Sequence, residues 1–370
     1  MDKNMGKNVR EGIKKIAPYV PGKPMEELQR AYGLDIEKII KLASNENPMG
    51  PSPRAAEAVR KCAGKISRYP ESSGYYLTNK LAETLRVSPD NIILGSGSSE
   101  IISMAMEILI NQGEEVIYPD PSFLIYRILA RKIGAVPVEI PLKGDFSYDM
   151  DMFLDKITDK TKVIILCNPN NPTGTVIYKK QMENFMAKVP DRILIVSDEA
   201  YNEYVENENA GTAFPYFEEK NVVIARTFSK IYGLAGLRIG YGIAKSDIAG
   251  FMERIRPPFN TTVPAQEAAL AALDDKEYAE KSFKNNIEGK YYLYGELKKL
   301  GTEYLPTEAN FILCRFKTGA ADIINKLEKR GIIIRNMEGI GTGYARITIG
   351  TPEENAILIN ALREVIKESV

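Results

Sequence analysis

The stretch ILIVSDEAY, residues 193–201, is an apolar run that ends in an aspartate. Its length and its β-branched residues are typical of a buried strand. Segments of helical periodicity alternate with further runs of this kind, and this pattern predicts an α/β fold with a mostly parallel mixed sheet between helices. The other predicted strands cover residues 91–95, 115–118, 136–140, 163–167, 222–228 and 240–244. The predicted helices among them cover residues 100–110, 123–133, 179–187 and 246–256.

A smaller α+β domain is predicted from residue 258 to residue 370, because the pattern changes after about residue 257. A long helical region at 263–300 precedes three further predicted strands, and helices lie between and after them. These strands cover residues 311–315, 331–335 and 345–350. The large domain is then expected at residues 51–257. Residues 1–50 are rich in Pro and Gly and are expected to form an N-terminal arm and part of the small domain.

Composition excludes several classes of partner. The 370 residues include 49 basic and 49 acidic ones, so no net field favours nucleic acid or an anionic membrane. No stretch reaches the roughly 18 consecutive apolar residues of a membrane span. The first 20 residues lack the apolar core of a secretory signal. The three cysteines lie far apart and predict neither a metal cluster nor a disulfide framework, so the cytoplasm is the expected location.

The chain contains no histidine at all. This excludes Ser-His-Asp and Cys-His nucleophilic schemes, zinc sites with histidine ligands, and any histidine general base. The proton carrier of an enzyme with this sequence must be Lys, Asp, Glu, Tyr or Cys. Lysine chemistry is therefore favoured, and no bound metal is expected.

The motif TFSK at residues 227–230 follows a predicted strand, and Arg238 follows eight residues later. A lysine at the end of a buried strand is partly desolvated, which favours its neutral form and Schiff-base chemistry. The hydroxyls of Thr227 and Ser229 and the guanidinium of Arg238 suit a phosphate group. The alternative is a solvated loop lysine with a surface arginine.

Asp198 ends a predicted strand, and Tyr201 lies three residues beyond it. Ligands of parallel α/β sheets bind beyond the carboxyl ends of the strands. An aspartate there can keep a pyridine nitrogen protonated, and the tyrosine can donate to a phenolate oxygen. The alternatives are a helix-capping aspartate beside a packed tyrosine, and a metal held by Asp198 and Glu199.

Two turns complete the candidate site. The segment CNPNNPTG at 167–174 is stiffened by its prolines and can hold an asparagine amide over a ligand ring, although most such turns are ordinary ones. The segment GSGSSE at 95–100 precedes a predicted helix, whose amino end favours a phosphate. A dinucleotide turn is an alternative, but Glu100 occupies the last glycine position of that motif and could instead cap the helix.

The set of motifs, in this order along the chain, resembles the fold-type I pyridoxal-phosphate aminotransferases. The matching elements are NPTG at 171–174, Asp-x-x-Tyr at 198–201, Ser229-Lys230 and the arginine eight residues beyond. Further segments resemble histidinol-phosphate aminotransferases within that family. They are APYVPGKP at 17–24, LASNENPMGPSP at 42–53, RYP at 68–70, SK-x-x-GLAGLR at 229–238 and RITIG at 346–350.

The resemblance implies a role for each matching residue. Lys230 would hold pyridoxal 5'-phosphate as a Schiff base and move the proton at the substrate Cα, and Asp198 would pair with the ring nitrogen. Asn171 and Tyr201 would bind the ring's phenolate oxygen, and Phe123 would stack on the ring. The residues implied for the cofactor phosphate carry hydroxyl groups or a guanidinium: Ser98, Ser99, Thr227, Ser229 and Arg238.

The resemblance also implies substrates and a partner. Arg346 and Arg335, with Tyr19 assisting, would bind the substrate anion, because one pocket must accept a phosphate ester and a carboxylate in turn. The reaction would convert L-histidinol phosphate and 2-oxoglutarate into imidazole acetol phosphate and L-glutamate, in histidine biosynthesis. Tyr69 would reach the cofactor phosphate of a second subunit, which predicts a homodimer.

Other functions stay open at this point. An aromatic amino-acid aminotransferase and a phosphothreonine decarboxylase share the scaffold. A dinucleotide-binding oxidoreductase built on residues 95–100 and a non-catalytic binding protein belong to different classes, and the joint presence of Lys230, Asp198 and Arg238 argues against both.

Overall fold

The computed structural model describes residues 5–368. Its strands form two separate sheets. The strands are β1 (Ile40–Leu42), β2 (Ile92–Gly95), β3 (Glu115–Asp120), β4 (Val136–Pro141), β5 (Thr161–Cys167), β6 (Leu194–Asp198), β7 (Val222–Thr227), β8 (Gly240–Ala244), β9 (Glu303–Tyr304), β10 (Phe311–Arg315), β11 (Ile332–Asn336) and β12 (Tyr344–Thr348).

Helices precede, connect and follow these strands. They are α1 (Glu11–Lys14), α2 (Met25–Tyr32), α3 (Pro53–Cys62), α4 (Tyr75–Leu85), α5 (Ser98–Glu107), α6 (Ile125–Ile133), α7 (Met150–Asp155), α8 (Lys179–Lys188), α9 (Ser246–Ile255), α10 (Val263–Leu273), α11 (Lys276–Lys299), α12 (Ala320–Lys329) and α13 (Pro352–Lys367). Within residues 5–368, none of these helices combines the length and the apolar character that a membrane crossing requires.

The larger sheet has seven strands in the order β2-β8-β7-β6-β5-β3-β4. Strand β8 runs antiparallel to both of its neighbours, and every other pair is parallel. The predicted mostly parallel mixed sheet is therefore confirmed. Six strands end at the same edge, where β8 begins, so that the loops after β2, β3, β5, β6 and β7 converge there.

Both faces of this sheet are buried, which explains its nearly continuous apolar strands. Along β5, Ile164 and Leu166 belong to the apolar cluster on one face, which includes residues of α4, α8 and α10. Val163 and Ile165 belong to the cluster on the opposite face, with residues of α5, α6 and α9. The alternation fixes the register of the strand, because a slip by one residue would exchange the two faces.

The smaller sheet has the order β1-β11-β12-β10-β9. Strand β1 pairs in parallel with β11, and the other neighbours are antiparallel. Its apolar core joins residues of α11, α12 and α13, including Leu293, Ile323 and Leu358. Strand β1 is an edge strand of this sheet. The segment that follows it, residues 43–47, lies in the space between the two sheets.

The helical region predicted at 263–300 is confirmed, and it consists of two helices. Helix α10 ends before Asp274 and α11 begins after Asp275. The buried alanines of α10 pack with α3, α4 and the core of the larger sheet. The domain limits at residues 50 and 257 remain a prediction, and the packing of α10 favours a second limit after residue 273.

Candidate active site

A cavity of about 370 Å³ opens at the edge of the larger sheet where the strand ends converge. It also borders the smaller sheet, through residues of β11 and β12. Every residue predicted for the site except Tyr69 contributes to its lining. These residues are Tyr19, Ser98, Ser99, Phe123, Asn171, Asp198, Tyr201, Thr227, Ser229, Lys230, Arg238, Arg335 and Arg346.

The amine of Lys230 lies at the end of β7 inside this cavity. Its Nζ donates to the carbonyl oxygens of Asn45 at 3.1 Å and Ser44 at 3.4 Å, and lies 5.4 Å from the ring centre of Tyr201. Burial lowers the pKa of this amine to about 8, and the positive charges of Arg346 and Arg238 act in the same direction. A solvated loop lysine would not have these contacts, and a substantial neutral fraction near pH 8 suits a nucleophilic amine.

The carboxylate of Asp198 is buried at the end of β6. Its Oδ2 accepts a hydrogen bond from the Tyr126 hydroxyl at 2.7 Å, and its Oδ1 accepts one from the Ala200 N–H at 3.2 Å. Burial raises the pKa of Asp198 to about 6, although these two hydrogen bonds and the charge of Lys230 oppose the rise. An ionised carboxylate in such a place attracts a cationic partner, such as a protonated ring nitrogen.

The amino end of α5 approaches Arg238 closely. A Cβ built on Gly97, whose φ is +80°, would lie 2.6 Å from a guanidinium nitrogen of Arg238. Glycine is therefore required here both for its backbone conformation and for the space that the arginine occupies. The first N–H groups of the helix, those of Ser98 and Ser99, have no acceptor within the helix, and they line the cavity beside that guanidinium.

Two hydroxyls of the β7–β8 loop join this cationic end of the cavity. Thr227 Oγ1 donates to Ser229 Oγ at 3.0 Å and accepts from the Ser229 N–H at 3.1 Å. Arg238 NH1 donates to Ser229 Oγ at 3.4 Å. A helix amino end, two hydroxyls and a guanidinium that converge on one point form a suitable binding site for a phosphate group.

The Tyr201 side chain is fixed by a hydrogen bond and by ring packing. It accepts a hydrogen bond from Asn45 Nδ2 at 2.9 Å, and the Tyr201 ring packs edge-on against Phe311 with 5.2 Å between ring centres. Phe123 also lines the cavity and packs edge-on against Tyr126, with 5.9 Å between ring centres. An aromatic face and a fixed hydroxyl in one cavity can bind a flat ring that carries an oxygen.

Arg346, on β12, is buried in the cavity wall. One terminal nitrogen donates to Asn171 Oδ1 and the other to the Ala43 carbonyl at 2.9 Å, whereas its Nε has no hydrogen-bond partner. Burial lowers the pKa of this guanidinium, and the nearby charge of Arg335 adds to that effect. A buried cation with an unused N–H group is an energetically costly arrangement that a bound anion would relieve.

Arg335 lies opposite Arg346 in the register of β11 and β12. Its NH2 donates to the Val20 carbonyl at 2.8 Å, which ties the N-terminal segment to the cavity wall. Tyr19, in the same segment, is 49% exposed and contributes to the lining. The cavity therefore has a second cationic side, separate from the cationic end at Arg238. It is formed by β11, β12 and the N-terminal segment.

Tyr69 is the one predicted site residue that lies elsewhere. It is 80% exposed and stacks on Phe259 with 4.5 Å between ring centres. It lines a surface depression with Ile66 and Phe259 instead of the cavity. Within one chain it therefore contributes nothing to the site.

Two of the alternative interpretations lose their basis in this geometry. Glu199, the second acidic residue of the supposed metal pair, accepts hydrogen bonds from Thr212, Ala213 and Arg226 and is fully buried. Glu100 accepts hydrogen bonds from the Ser96 N–H at 2.7 Å and from Asn260 Nδ2 at 2.6 Å. A carboxylate fixed at that turn leaves it unlike a dinucleotide turn, whose last position is a glycine.

Sequence reasoning missed two residues of the site, Tyr126 and Asn45. Tyr126 was visible only as an aromatic residue three positions beyond Phe123, and its partner Asp198 is 72 residues away in the chain. Asn45 lies in the motif at 42–53, and its left-handed backbone with a φ of 54° left no sign in the residue pattern.

The family model for aminotransferase class I and II matches residues 37–362. The chain belongs to the class I and II aminotransferase family. This aminotransferase is 43% identical over 360 residues to the histidinol-phosphate aminotransferase of Moorella thermoacetica, a match that covers 96% of this chain and 92% of that relative. It is 42% identical over 362 residues to histidinol-phosphate aminotransferase 2 of Carboxydothermus hydrogenoformans, with 97% and 99% covered. The resemblance inferred from the motifs is confirmed.

Solved structures agree with the fold of this aminotransferase. The histidinol-phosphate aminotransferase of Sinorhizobium meliloti, solved in complex with pyridoxal-5'-phosphate, superposes with a TM-score of 0.89 at 27% identity, and 98% of each chain is covered. An aspartate aminotransferase from Thermotoga maritima has the same fold, with a TM-score of 0.82 at 20% identity. The predicted fold-type I architecture is thereby confirmed.

Proposed function

We propose that this aminotransferase binds pyridoxal 5'-phosphate and exchanges an amino group between L-histidinol phosphate and 2-oxoglutarate, giving imidazole acetol phosphate and L-glutamate. The relatives named above are called histidinol-phosphate aminotransferases. They match nearly the whole length of this chain. The single observation that carries the proposal is the pair Arg346 and Arg335 in the same cavity as Lys230. Two anions of different shape, a phosphate ester and a carboxylate, are both recognised by arginine forks.

The residues of the cavity fit the cofactor. A phosphate group would lie at the amino end of α5 between Arg238 and the hydroxyls of Thr227 and Ser229. The buried Asp198 carboxylate would face the ring nitrogen, and Asn171 and Tyr201 would face the ring oxygen. When bound, the cofactor supplies an aldehyde that takes up the amino nitrogen and a ring that accepts the electron pair released at the substrate Cα.

The protein's own groups carry the proton transfers. With a pKa lowered to about 8 by burial, Lys230 can take up the proton at the substrate Cα and return it at the adjoining cofactor carbon. Asp198 would keep the ring nitrogen protonated, because a buried carboxylate is most stable beside a positive charge. Tyr126 holds that carboxylate in place from the opposite side.

The substrate anion would bind at the second cationic side. Each terminal nitrogen of Arg346 keeps one N–H group beyond those donated to Asn171 and Ala43. The charge of Arg335 lies close enough to lower the pKa of Arg346. A bound phosphate or carboxylate would neutralise this excess positive charge. The pocket can then accept histidinol phosphate in one half of the reaction and glutamate in the other.

Steady-state rates test the proposal. With 2-oxoglutarate as acceptor, we expect kcat/KM to be higher for L-histidinol phosphate than for phenylalanine, since phenylalanine lacks the phosphate ester. Phosphothreonine should release no carbon dioxide. A higher kcat/KM for phenylalanine, or decarboxylation of phosphothreonine, would refute the assignment of substrate.

The proposal includes a homodimer in which Tyr69 completes the phosphate site of the neighbouring subunit. Tyr69 belongs to an exposed apolar patch on the surface: Ile66 is 68% exposed and Tyr76 is 75% exposed, and Phe259 stacks on Tyr69. Contiguous apolar patches of this kind mark protein interfaces. A cytoplasmic location is part of the same proposal, and three free buried cysteines are consistent with it.

Mixed dimers test the role of Tyr69. A Lys230→Ala chain and a Tyr69→Ala chain should each be poorly active alone. In a mixed dimer, one site would combine an intact Lys230 with an intact Tyr69 from the neighbour, so activity should recover toward half of that of the unaltered dimer. If mixing restores nothing beyond the activity of the Tyr69→Ala chain, Tyr69 does not act across the interface.

A further inference from the structure

Asn45 combines a left-handed backbone with nearly complete burial. Its φ is 54°, although it is not a glycine, and only 1% of its surface is exposed. Non-glycine residues in this conformation are uncommon, although asparagine adopts it more readily than most, and such positions cluster at functional sites when the surrounding structure holds them in place. The hydrogen bonds of Asn45 provide that support.

Each polar group of Asn45 has a partner. The backbone N–H donates to Thr348 Oγ1 at 3.0 Å, and Thr348 Oγ1 donates in turn to Asn45 Oδ1 at 3.3 Å. The carbonyl oxygen accepts from Lys230 Nζ and from Asn310 Nδ2, both at 3.1 Å. Nδ2 donates to the Tyr201 hydroxyl at 2.9 Å. One residue thus connects Lys230 and Tyr201 to β12, the strand that carries Arg346.

In its contact with the Tyr201 hydroxyl, Asn45 is the hydrogen-bond donor. A phenolic hydroxyl has one proton to donate and lone pairs to accept with. Because the Asn45 amide donates to the oxygen, the Tyr201 proton is not used in this contact. That proton remains available for an acceptor inside the cavity, which is where the oxygen of a bound ring would lie.

We propose that Asn45 is a positioning residue for the amino transfer. It directs the Tyr201 proton into the cavity and holds the Lys230 amine at a fixed position relative to β12. This inference rests on the proposed function, because it presumes bound pyridoxal 5'-phosphate. It assigns no contact with substrate or cofactor to Asn45 itself. The residue acts through Tyr201 and Lys230.

The pH dependence of the visible absorption band of the cofactor-loaded protein is the informative measurement. A hydrogen bond from Tyr201 stabilises negative charge on the ring oxygen and so lowers the pH midpoint of the band. Losing a hydrogen bond to a charged oxygen should raise the midpoint by about one pH unit in Tyr201→Phe. Asn45→Gly tolerates the positive φ, keeps the carbonyl that faces Lys230, and removes the donor to Tyr201, so we expect a smaller rise in the same direction.

A double-mutant cycle separates positioning from general structural damage. If Asn45 acts through Tyr201, adding Asn45→Gly to Tyr201→Phe should shift the midpoint no further. Arg86→Gly is the matched control, because Arg86 also has a positive φ, 59°, and directly follows α4, away from the cavity; it should leave the midpoint unchanged. Should Asn45→Gly fail to fold, Thr348→Val removes the hydroxyl that holds Asn45 and should produce an upward shift that Tyr201→Phe likewise abolishes.

Two results would overturn the inference: a midpoint in Asn45→Gly equal to that of the unaltered protein, or full additivity of the two substitutions. Failure of the proposed function would look different, because the unaltered protein would then show no visible band with pyridoxal 5'-phosphate at all.

Discussion

Replacing Arg346 with glutamine should weaken the use of both substrates. The guanidinium has five N–H groups, and the free protein uses two of them, on Asn171 and on Ala43. Three N–H groups remain, including the unpartnered Nε–H. A charge-assisted hydrogen bond is worth about 1.5–3 kcal/mol, so the loss of a two-pronged contact with an anion should cost at least about 3 kcal/mol. This corresponds to a fall of about 100-fold in kcat/KM.

The assay is steady-state transamination with L-histidinol phosphate and with glutamate, measured beside the absorption band of the bound cofactor. Arg346→Gln should reduce kcat/KM for both substrates and leave the band in place, because Arg346 is not among the residues proposed for the cofactor phosphate. Arg346→Lys keeps the charge but loses the planar fork, so its loss should be smaller, about tenfold. If kcat/KM for histidinol phosphate stays within about threefold of the unaltered value in Arg346→Gln, the anion-binding argument is wrong.

Two further predictions follow from the buried ionisable groups. Burial raises the pKa of Asp198 from its ordinary 3.8 to about 6. Between these two pH values the folded state therefore binds more protons than the unfolded state. Above pH 6 the ionised Asp198 carboxylate destabilises the cofactor-free protein. The shift from 3.8 to about 6 corresponds to about 3 kcal/mol at pH 7. Asp198→Asn should therefore increase the free energy of unfolding of the cofactor-free protein at pH 7 by up to about 3 kcal/mol, measured by thermal or urea unfolding, while weakening cofactor binding; a decrease would contradict this reasoning. For Lys230, acylation of the amine in the cofactor-free protein should rise with a midpoint near pH 8, since burial, Arg346 and Arg238 lower its pKa, and Arg346→Gln should move the midpoint upward; a midpoint near the ordinary 10.5 would contradict the burial of this amine.

The large sheet could be predicted from the sequence because its strands are buried on both faces. Such strands are apolar throughout, as Val163 to Leu166 illustrate, and they are easily recognised. Once the strands are known, parallel topology brings their carboxyl ends together, and the polar residues at those ends, Asp198 and Lys230 among them, must lie near one another. The convergence of these polar residues at one edge of the sheet could therefore be predicted from the sequence.

Features that depend on tertiary contacts could not be predicted. The hydroxyl of Tyr126 meets Asp198 only because α6 packs against the sheet in a particular orientation, and nothing in its local sequence distinguishes it from a core tyrosine. The left-handed backbone of Asn45 is stabilised by Thr348 and Asn310, which are more than 260 residues away in the chain. The break between α10 and α11 was missed because the second half of α10, residues 268–273, is entirely alanine and leucine, so that its helical pattern merged with that of α11.

The site as a single chain presents it also lacks one predicted member. Tyr69 lies on the surface, and its assignment rests on the family resemblance, which implies a second subunit. No pattern within one chain reveals which surface residues complete a neighbour's site. The exposed aromatic patch around Tyr69 and Phe259 is consistent with the second subunit proposed above.

Covalent capture of the cofactor tests the central claim most directly. The purified protein is incubated with pyridoxal 5'-phosphate, reduced with borohydride, digested, and analysed by mass spectrometry. The proposed chemistry predicts a reduced adduct on Lys230 and its absence in Lys230→Ala. An adduct on a different lysine, or an unmodified Lys230 after reduction, would contradict the assignment of Lys230 as the reactive amine.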